Sequence, residues 1–220
     1  MLCRKEDATP EMGHAVLLGD SIFDNGAYVS GGSPIVEQLR SRMPREWRVT
    51  LLARDGAVAT GILKQLHELP ADASHLIVSA GGNDALESTP ILNSPICESA
   101  AMLNELVAVQ NEFRTNYRQM IRAICKTRLR ILACTIYDAV PGLQPHERMA
   151  LSLFNDIIMR ELIAGRIPVL DLRRVCDESR DYSAISPIEP SEIGGSKISR
   201  ALQSILLGHD FSRRETVVYP

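Results

Sequence analysis

Short runs of consecutive apolar residues alternate along the chain with longer stretches in which apolar positions recur every three or four residues. The short runs are HAVLLG (14–19), WRVTLL (47–52), HLIVSA (75–80), LRILACT (129–135) and IPVLDL (167–172). Runs that stay apolar at every position, rather than at every second one, predict strands buried on both faces, the signature of a parallel sheet. The stretches between them predict helices over about 34–43, 58–69 and 147–163, with a last one over 195–207. In 58–69 the residues Val58, Ile62, Leu66 and Leu69 share one face. A loop carrying Pro90 and Pro95 leads into a long helix whose apolar positions include Leu103, Leu106, Phe113, Tyr117, Met120, Ile121 and Ile124. The tail FSRRETVVYP has no helical pattern. The expected fold is α/β: a three-layer α/β/α domain around a flavodoxin-like, doubly wound, five-stranded parallel sheet. No repeat, low-complexity tract or linker divides residues 1–220, and 1–12 and 209–220 read as flexible or extended ends.

Composition narrows the function classes. Hydrophobic residues make up 45% and charged residues 23%, ordinary for a globular domain with a sizeable core. A net charge of −3 without a basic stripe gives no footing for nucleic-acid binding. Cys3, Cys97, Cys125, Cys134 and Cys176 are dispersed, which argues against a disulfide framework and for a reducing compartment. The first residues lack an apolar signal core, and no apolar run approaches the about 18 residues of a membrane span. The expectation is a cytoplasmic protein.

In a doubly wound sheet, ligands bind beyond the carboxyl ends of the strands. That directs attention to residues 20–32, 53–57, 80–97, 136–146 and 176–194. Three of these strand exits are unusual: Gly19-Asp20-Ser21-Ile22, Arg54-Asp55-Gly56-Ala57 and Gly81-Gly82-Asn83-Asp84. Each alone is ordinary turn or helix-capping chemistry. Together they suit acyl transfer. A serine hydroxyl just past a strand is held in a cleft by rigid backbone. Its attack on a carbonyl creates an oxyanion that needs preorganised donors. The backbone N–H of Ser21, the unobstructed N–H of Gly56 and the neutral Asn83 amide can supply them. The G-x-S-x-G elbow of the other large serine-hydrolase fold is absent, since Ile22 and Phe23 follow Ser21. Asp20 and Asp84 read as loop supports, without the neighbouring ligands a metal needs.

In order and spacing, the three exits resemble blocks I, II and III of the SGNH, or GDSL-type, hydrolase superfamily. The segment IEPSEIGGSKIS (188–199) resembles a variant of its fifth block. The resemblance spans nearly the whole chain. It implies Ser21 as nucleophile, an oxyanion hole of Ser21, Gly56 and Asn83, no cofactor, and a small-molecule ester substrate such as a small acyl ester or an acetylated carbohydrate.

One departure stands out. The family's fifth block reads D-x-x-H-P, with His as base and Asp orienting it. The matching residues are Ser186, Pro187, Ile188, Glu189 and Pro190. Glu189 falls at the His position and Ser186 at the Asp position. The two changes are coherent: a carboxylate has no ring N–H for an Asp to accept, and a second carboxylate would repel it. Glu is the weaker base, with a reference pKa of ~4.3 against ~6.5, about 3 kcal/mol. Burial beside Ile188 and the prolines would recover part of that gap. The plainer reading is an exposed loop carboxylate or helix-entry charge. Among the histidines, His14 and His75 fall at the wrong edge of the sheet, His67 on the second helix and His209 past the last one. Only His146, expected in a loop leaving a strand's carboxyl end, is an alternative base.

An ester hydrolase acting through an acyl-serine is the leading reading. A ligand-binding protein on the same fold, its base lost, is a second. A phosphoryl-transfer enzyme using Asp20 and Asp24 with Mg²⁺ is a third, and it lacks a Gly-rich phosphate loop.

Overall fold

The computed structural model describes residues 12–92 and 99–220. Five parallel strands form where the continuous apolar runs lie: β1 (Gly13–Gly19), β2 (Trp47–Leu51), β3 (His75–Ser79), β4 (Arg130–Cys134) and β5 (Val169–Leu170). A sixth, β6 (Val218–Tyr219), extends the expected five-stranded sheet, giving the order β2-β1-β3-β4-β5-β6. The two residues of β6 carry no periodicity. They form a strand because β5 leaves an open edge, where Val169 N–H bonds Val217 O and Asp171 N–H bonds Tyr219 O, each at 2.8 Å.

Helices cover both faces, as continuous apolar strands require. Ala15 and Leu17 of β1 join Ile77, Leu132 and Cys134 in a core with α1 (Ile35–Arg42) and the last helix. Val16 and Leu18 point the other way, with Leu76, Val78 and Ala133. There they meet α2 (Ile62–Gln65), α5 (Ser99–Lys126) and α6 (Pro145–Gly165). Two short helices follow β3: α3 (Gly82–Glu87) and α4 (Thr89–Leu92). After β5 come α7 (Leu172–Val175) and α8 (Glu192–Gly208).

Several boundaries differ from the sequence reading. The helix expected over 58–69 is an α-turn at 62–65 flanked by 3₁₀ turns at 59–61 and 66–68. Pro90 lies inside α4 rather than in a loop, and Pro95, like Cys3 and Cys97, falls outside the described residues. Residues 145–146 belong to α6: Pro145 opens it, and a capping box between Gln144 and Glu147 closes its end. His146 is therefore a first-turn helix residue, exposed, and not a loop residue. The last helix starts at Glu192, capped by Ser191 Oγ accepting from Gly194 N–H, and not at 195. Gly194 and Gly195 look like helix breakers but serve packing here: a Cβ on Gly194 would stand 2.1 Å from Asp181 O.

Candidate active site

Ser21 follows β1 in a turn built by its neighbour. Phe23 N–H and Asp24 N–H both bond the carbonyl of Asp20 at 3.1 Å, and the Asp20 carboxylate accepts Ile22 N–H at 3.1 Å. Ile22 and Phe23 are buried and anchor the turn in the α1 core. Gly19 leaves the strand at φ +139°, and a Cβ there would fall 2.0 Å from Ser79 O, so no side chain fits at this exit. The Gln65 amide completes it, accepting from Gly19 N–H at 2.8 Å and donating to Gly19 O at 2.7 Å. Asn155 does the same for Ile136 past the end of β4, at 2.9 and 2.8 Å. Both amides stand in for a strand partner where the ladder has ended, satisfying buried backbone groups.

The loops after β2 and β3 lock onto this turn. Asp24 accepts from Asp55 N–H at 3.0 Å, and Tyr28 donates its hydroxyl to Asp55 at 2.7 Å. The Asn83 amide donates to Ala57 O, and Asp84 accepts from Ala59 N–H, both at 3.0 Å. Asp24 and Asp84 thus tie three loops together. One Asn83 N–H is used on Ala57 O. Gly56, at φ +75°, is exposed on the second loop and does not line the pocket that holds Ser21 and Asn83.

Glu189 comes from the loop before α8, and Ser21 Oγ donates to its Oε1 at 2.9 Å. Much in the loop serves this placement. Glu189 N–H bonds Ser186 O at 3.0 Å, and Glu189 O accepts from Ser183 N–H at 2.8 Å. Tyr137 donates to Ile188 O at 2.6 Å, and Ser183 Oγ donates to Tyr28 O at 2.6 Å. Asn25, fully buried, bridges the two halves of the site: its amide donates to Pro190 O at 3.2 Å and its oxygen caps α1 at Ile35 N–H, 3.0 Å. At the loop's base, buried Asp181 pairs with Lys197 at 2.8 Å.

The electrostatics are those of a carboxylate held dry. Glu189 is 5% exposed, and its Oε2 has no hydrogen-bond partner among the described residues. Burial, reinforced by the charge of Asp55, raises its pKa to about 7, while the Ser21 hydroxyl pulls the other way. Asp20 is likewise raised to about 7 by burial, with Glu189 and Asp84 adding repulsion. Ser21, Asn83, Asp20 and Glu189 all line one cavity of about 310 Å³. His146 does not line it; its neighbour Glu147 does. His14, bonded to Thr50 and paired with Asp72, is at the amino end of β1, opposite the end that Ser21 follows, and His209 bonds Tyr219. Among the described residues, no three His, Cys, Asp or Glu side chains gather as a metal would need, and the carboxylate of Asp24 is engaged by backbone. No helix among them is long and apolar enough to cross a membrane.

Sequence reasoning missed Asn25, Gln65, Tyr137 and Asn155. Gln65 left one trace, a polar residue adjoining the apolar face of residues 58–69. The others carry no signal, because their role is to satisfy backbone groups that sequence alone does not locate.

A serine hydroxyl bonded to a buried carboxylate thus stands at the carboxyl edge of a parallel sheet, beside an amide and several glycine turns. The sequence matches the GDSL-like lipase/acylhydrolase family over residues 17–194, and the chain belongs to that family. Solved structures similar to it include the lipase Lip_vut3 from a goat rumen metagenome, with 21% identity, TM-score 0.67, and coverage of 90% of this chain and 99% of that one. Another is the acetyl xylan esterase AlAXEase, at 14% identity, TM-score 0.63 and coverage of 88% and 99%. A third is phospholipase A1 from Streptomyces albidoflavus NA297, at 16% identity, TM-score 0.64 and coverage of 89% and 98%. At these identities the likeness is one of fold. Comparison with curated protein sequences finds no match.

Proposed function

We propose that the protein hydrolyses carboxylic esters through an acyl-serine intermediate on Ser21, with Glu189 as the base. The observation that carries this reading is the 2.9 Å hydrogen bond from Ser21 Oγ to a buried carboxylate whose pKa is raised to about 7. A base near the operating pH balances being ionised against pulling the proton strongly. As Ser21 Oγ bonds to the carbonyl carbon, its proton passes to Glu189. The oxyanion is received by Ser21 N–H and the Asn83 amide; Gly56, outside the cavity, is not given a donor's role. Collapse breaks the ester C–O bond, and the alcohol leaves with the proton held by Glu189. A water then attacks the acyl-serine, again giving its proton to Glu189. The acid departs and Ser21 recovers its hydroxyl. Asp20, raised like Glu189, holds the nucleophile turn through Ile22 N–H rather than entering the chemistry. Family membership supports ester hydrolysis in general.

A fluorophosphonate probe tests this directly. The expected result is one covalent adduct per chain, located by peptide mass analysis at Ser21, with loss of esterase activity in step. A chain that binds esters but takes no adduct is a binding protein on this fold, and the proposal is wrong.

The amide has its own test. Asn83→Ala is expected to lower kcat for an aryl ester by roughly 10²- to 10³-fold, the usual cost of one oxyanion donor. Because Asn83 also bonds Ala57 O, the folded state of the variant is checked by thermal denaturation. A folded variant with an unchanged rate removes Asn83 from the mechanism.

A further inference from the structure

The cavity that begins at Ser21 and Glu189 extends well beyond them. Much of its farther wall is apolar and comes from three helices, Leu86 of α3, Leu106 of α5, and Leu151 and Phe154 of α6, with Ile136 and Ile188 from the adjoining loops. Ser88, Thr89 and Glu147 are the polar side chains of the farther walls, and two of them bond within their own elements. Ser88 Oγ donates to Asp84 O at 2.9 Å, and the Glu147 carboxylate accepts Gln144 N–H at 2.8 Å. These bonds cap helices, and among the described residues the walls away from Ser21 and Glu189 show no convergent set of donors and acceptors for sugar hydroxyls, whose burial without partners is costly.

An acetyl group would occupy only the mouth of such a space. The remaining volume would hold either water against apolar walls or nothing, and in both cases the dispersion contacts of the lining are forfeited. A straight hydrocarbon chain matches the walls in chemistry and the space in size. A methylene takes about the room of a water, ~30 Å³, so a chain of about six to ten carbons fills the cavity without overrunning it.

We propose that this cavity is an acyl-chain site, and that the protein's substrates are esters of medium-length, unbranched fatty acids rather than acetyl esters. The inference rests on the reading of Ser21 and Glu189 as an esterase pair, and it departs from the small acyl esters and acetylated carbohydrates that the sequence resemblance implied. The ester carbonyl sits at Ser21, and the chain runs toward Leu106 and Phe154.

The test compares kcat/KM for p-nitrophenyl acetate and p-nitrophenyl octanoate on the same enzyme. Each methylene removed from water contributes about fourfold. Six of them, incompletely desolvated, give an expected octanoate preference of roughly 10²-fold or more. Two substitutions then narrow the cavity from different sides. Ala150→Phe fills it from α6, where Ala150 is buried and lines the wall. Leu86→Trp crowds it from α3 at a position 45% exposed, where a larger side chain is accommodated without disturbing the core. Each is expected to lower the octanoate-to-acetate ratio at least about tenfold. Equal turnover of acetate and octanoate by the wild type overturns the inference and leaves the esterase reading standing. So does an unchanged ratio in folded Leu86→Trp. A wild type inert on both esters overturns the esterase reading, and this inference falls with it.

Discussion

Ser21→Ala is expected to lower kcat/KM for an aryl ester by roughly 10⁴- to 10⁶-fold, the scale seen when a serine nucleophile is removed from a machine that otherwise stays assembled. The assembly is expected to survive, because little else depends on the hydroxyl. The turn is held by Asp20 and by the buried Ile22 and Phe23, and its only described side-chain bond through Oγ is the one to Glu189. Losing that bond has one predictable side effect. The Ser21 hydroxyl is what restrains the rise of the Glu189 pKa, so the variant's carboxyl should titrate higher still. The stability of Ser21→Ala should therefore match wild type on the acid side, where Glu189 is neutral, and fall below it in mildly alkaline buffer. Thermal denaturation at both pH values separates a folded, chemically dead variant from an unfolded one. A folded Ser21→Ala that keeps its rate within about tenfold of wild type would end Ser21's role as nucleophile.

Much of this site was legible because strand exits in a parallel sheet concentrate function. Once the five apolar runs were strands, Ser21, Asn83 and Glu189 had to lie near one edge, and the glycines marked the turns. Gly19 is a case where sequence and structure meet on one atom, since the space beside Ser79 O admits no Cβ. Less visible were groups whose partners lie far along the chain. Gln65 and Asn155 are polar residues in the core, and a reading that sends polar residues outward cannot find them. Asn25 is harder still: its value lies in joining Pro190 and Ile35, 165 and 10 residues away. The start of α8 was misread because Gly194 and Gly195 lower helix propensity, while the Asp181 backbone presses so close to Gly194 that only glycine fits there. Strand β6 was invisible for a different reason, its pairing being set by the open edge of β5. The exposure of His146 also hung on a local detail, the Gln144–Glu147 capping box that turns residues 145–146 into helix.

Glu189→Gln is expected to lower kcat/KM by roughly 10³- to 10⁴-fold, since the amide keeps the shape of the side chain but cannot take the Ser21 proton. The wild-type pH profile should carry the same message. Only the ionised carboxylate is a base, so the rate should fall about tenfold per pH unit on acidification below about 7, where burial has placed this group. Stability should run the opposite way. A carboxyl raised on folding contributes stability that is complete below its unfolded pKa, near 4.5, and is lost as pH rises through about 7. Above that point the folded protein holds a buried charge, one oxygen of which has no partner among the described residues. Glu189→Gln removes that charge. At pH 8 the variant should be the more stable protein by on the order of 2 kcal/mol, after discounting for screening through the cavity mouth, or about 4–8 °C in Tm. Below about pH 4, where the carboxyl is neutral folded and unfolded, the two should melt together. The base is thus expected to be active in the pH range where it costs the fold most, and to be neutral where the fold is most stable. A histidine at this position has the family's partner available by one further change. Glu189→His with Ser186→Asp is therefore expected to keep activity that Glu189→Gln loses. The outcome that would sink the assignment is specific: Glu189→Gln at full activity while His146→Ala is dead. That result would require His146 to leave its exposed place on the first turn of α6 and reach Ser21, which α6, closed by Pro145 and its capping box, is built to prevent.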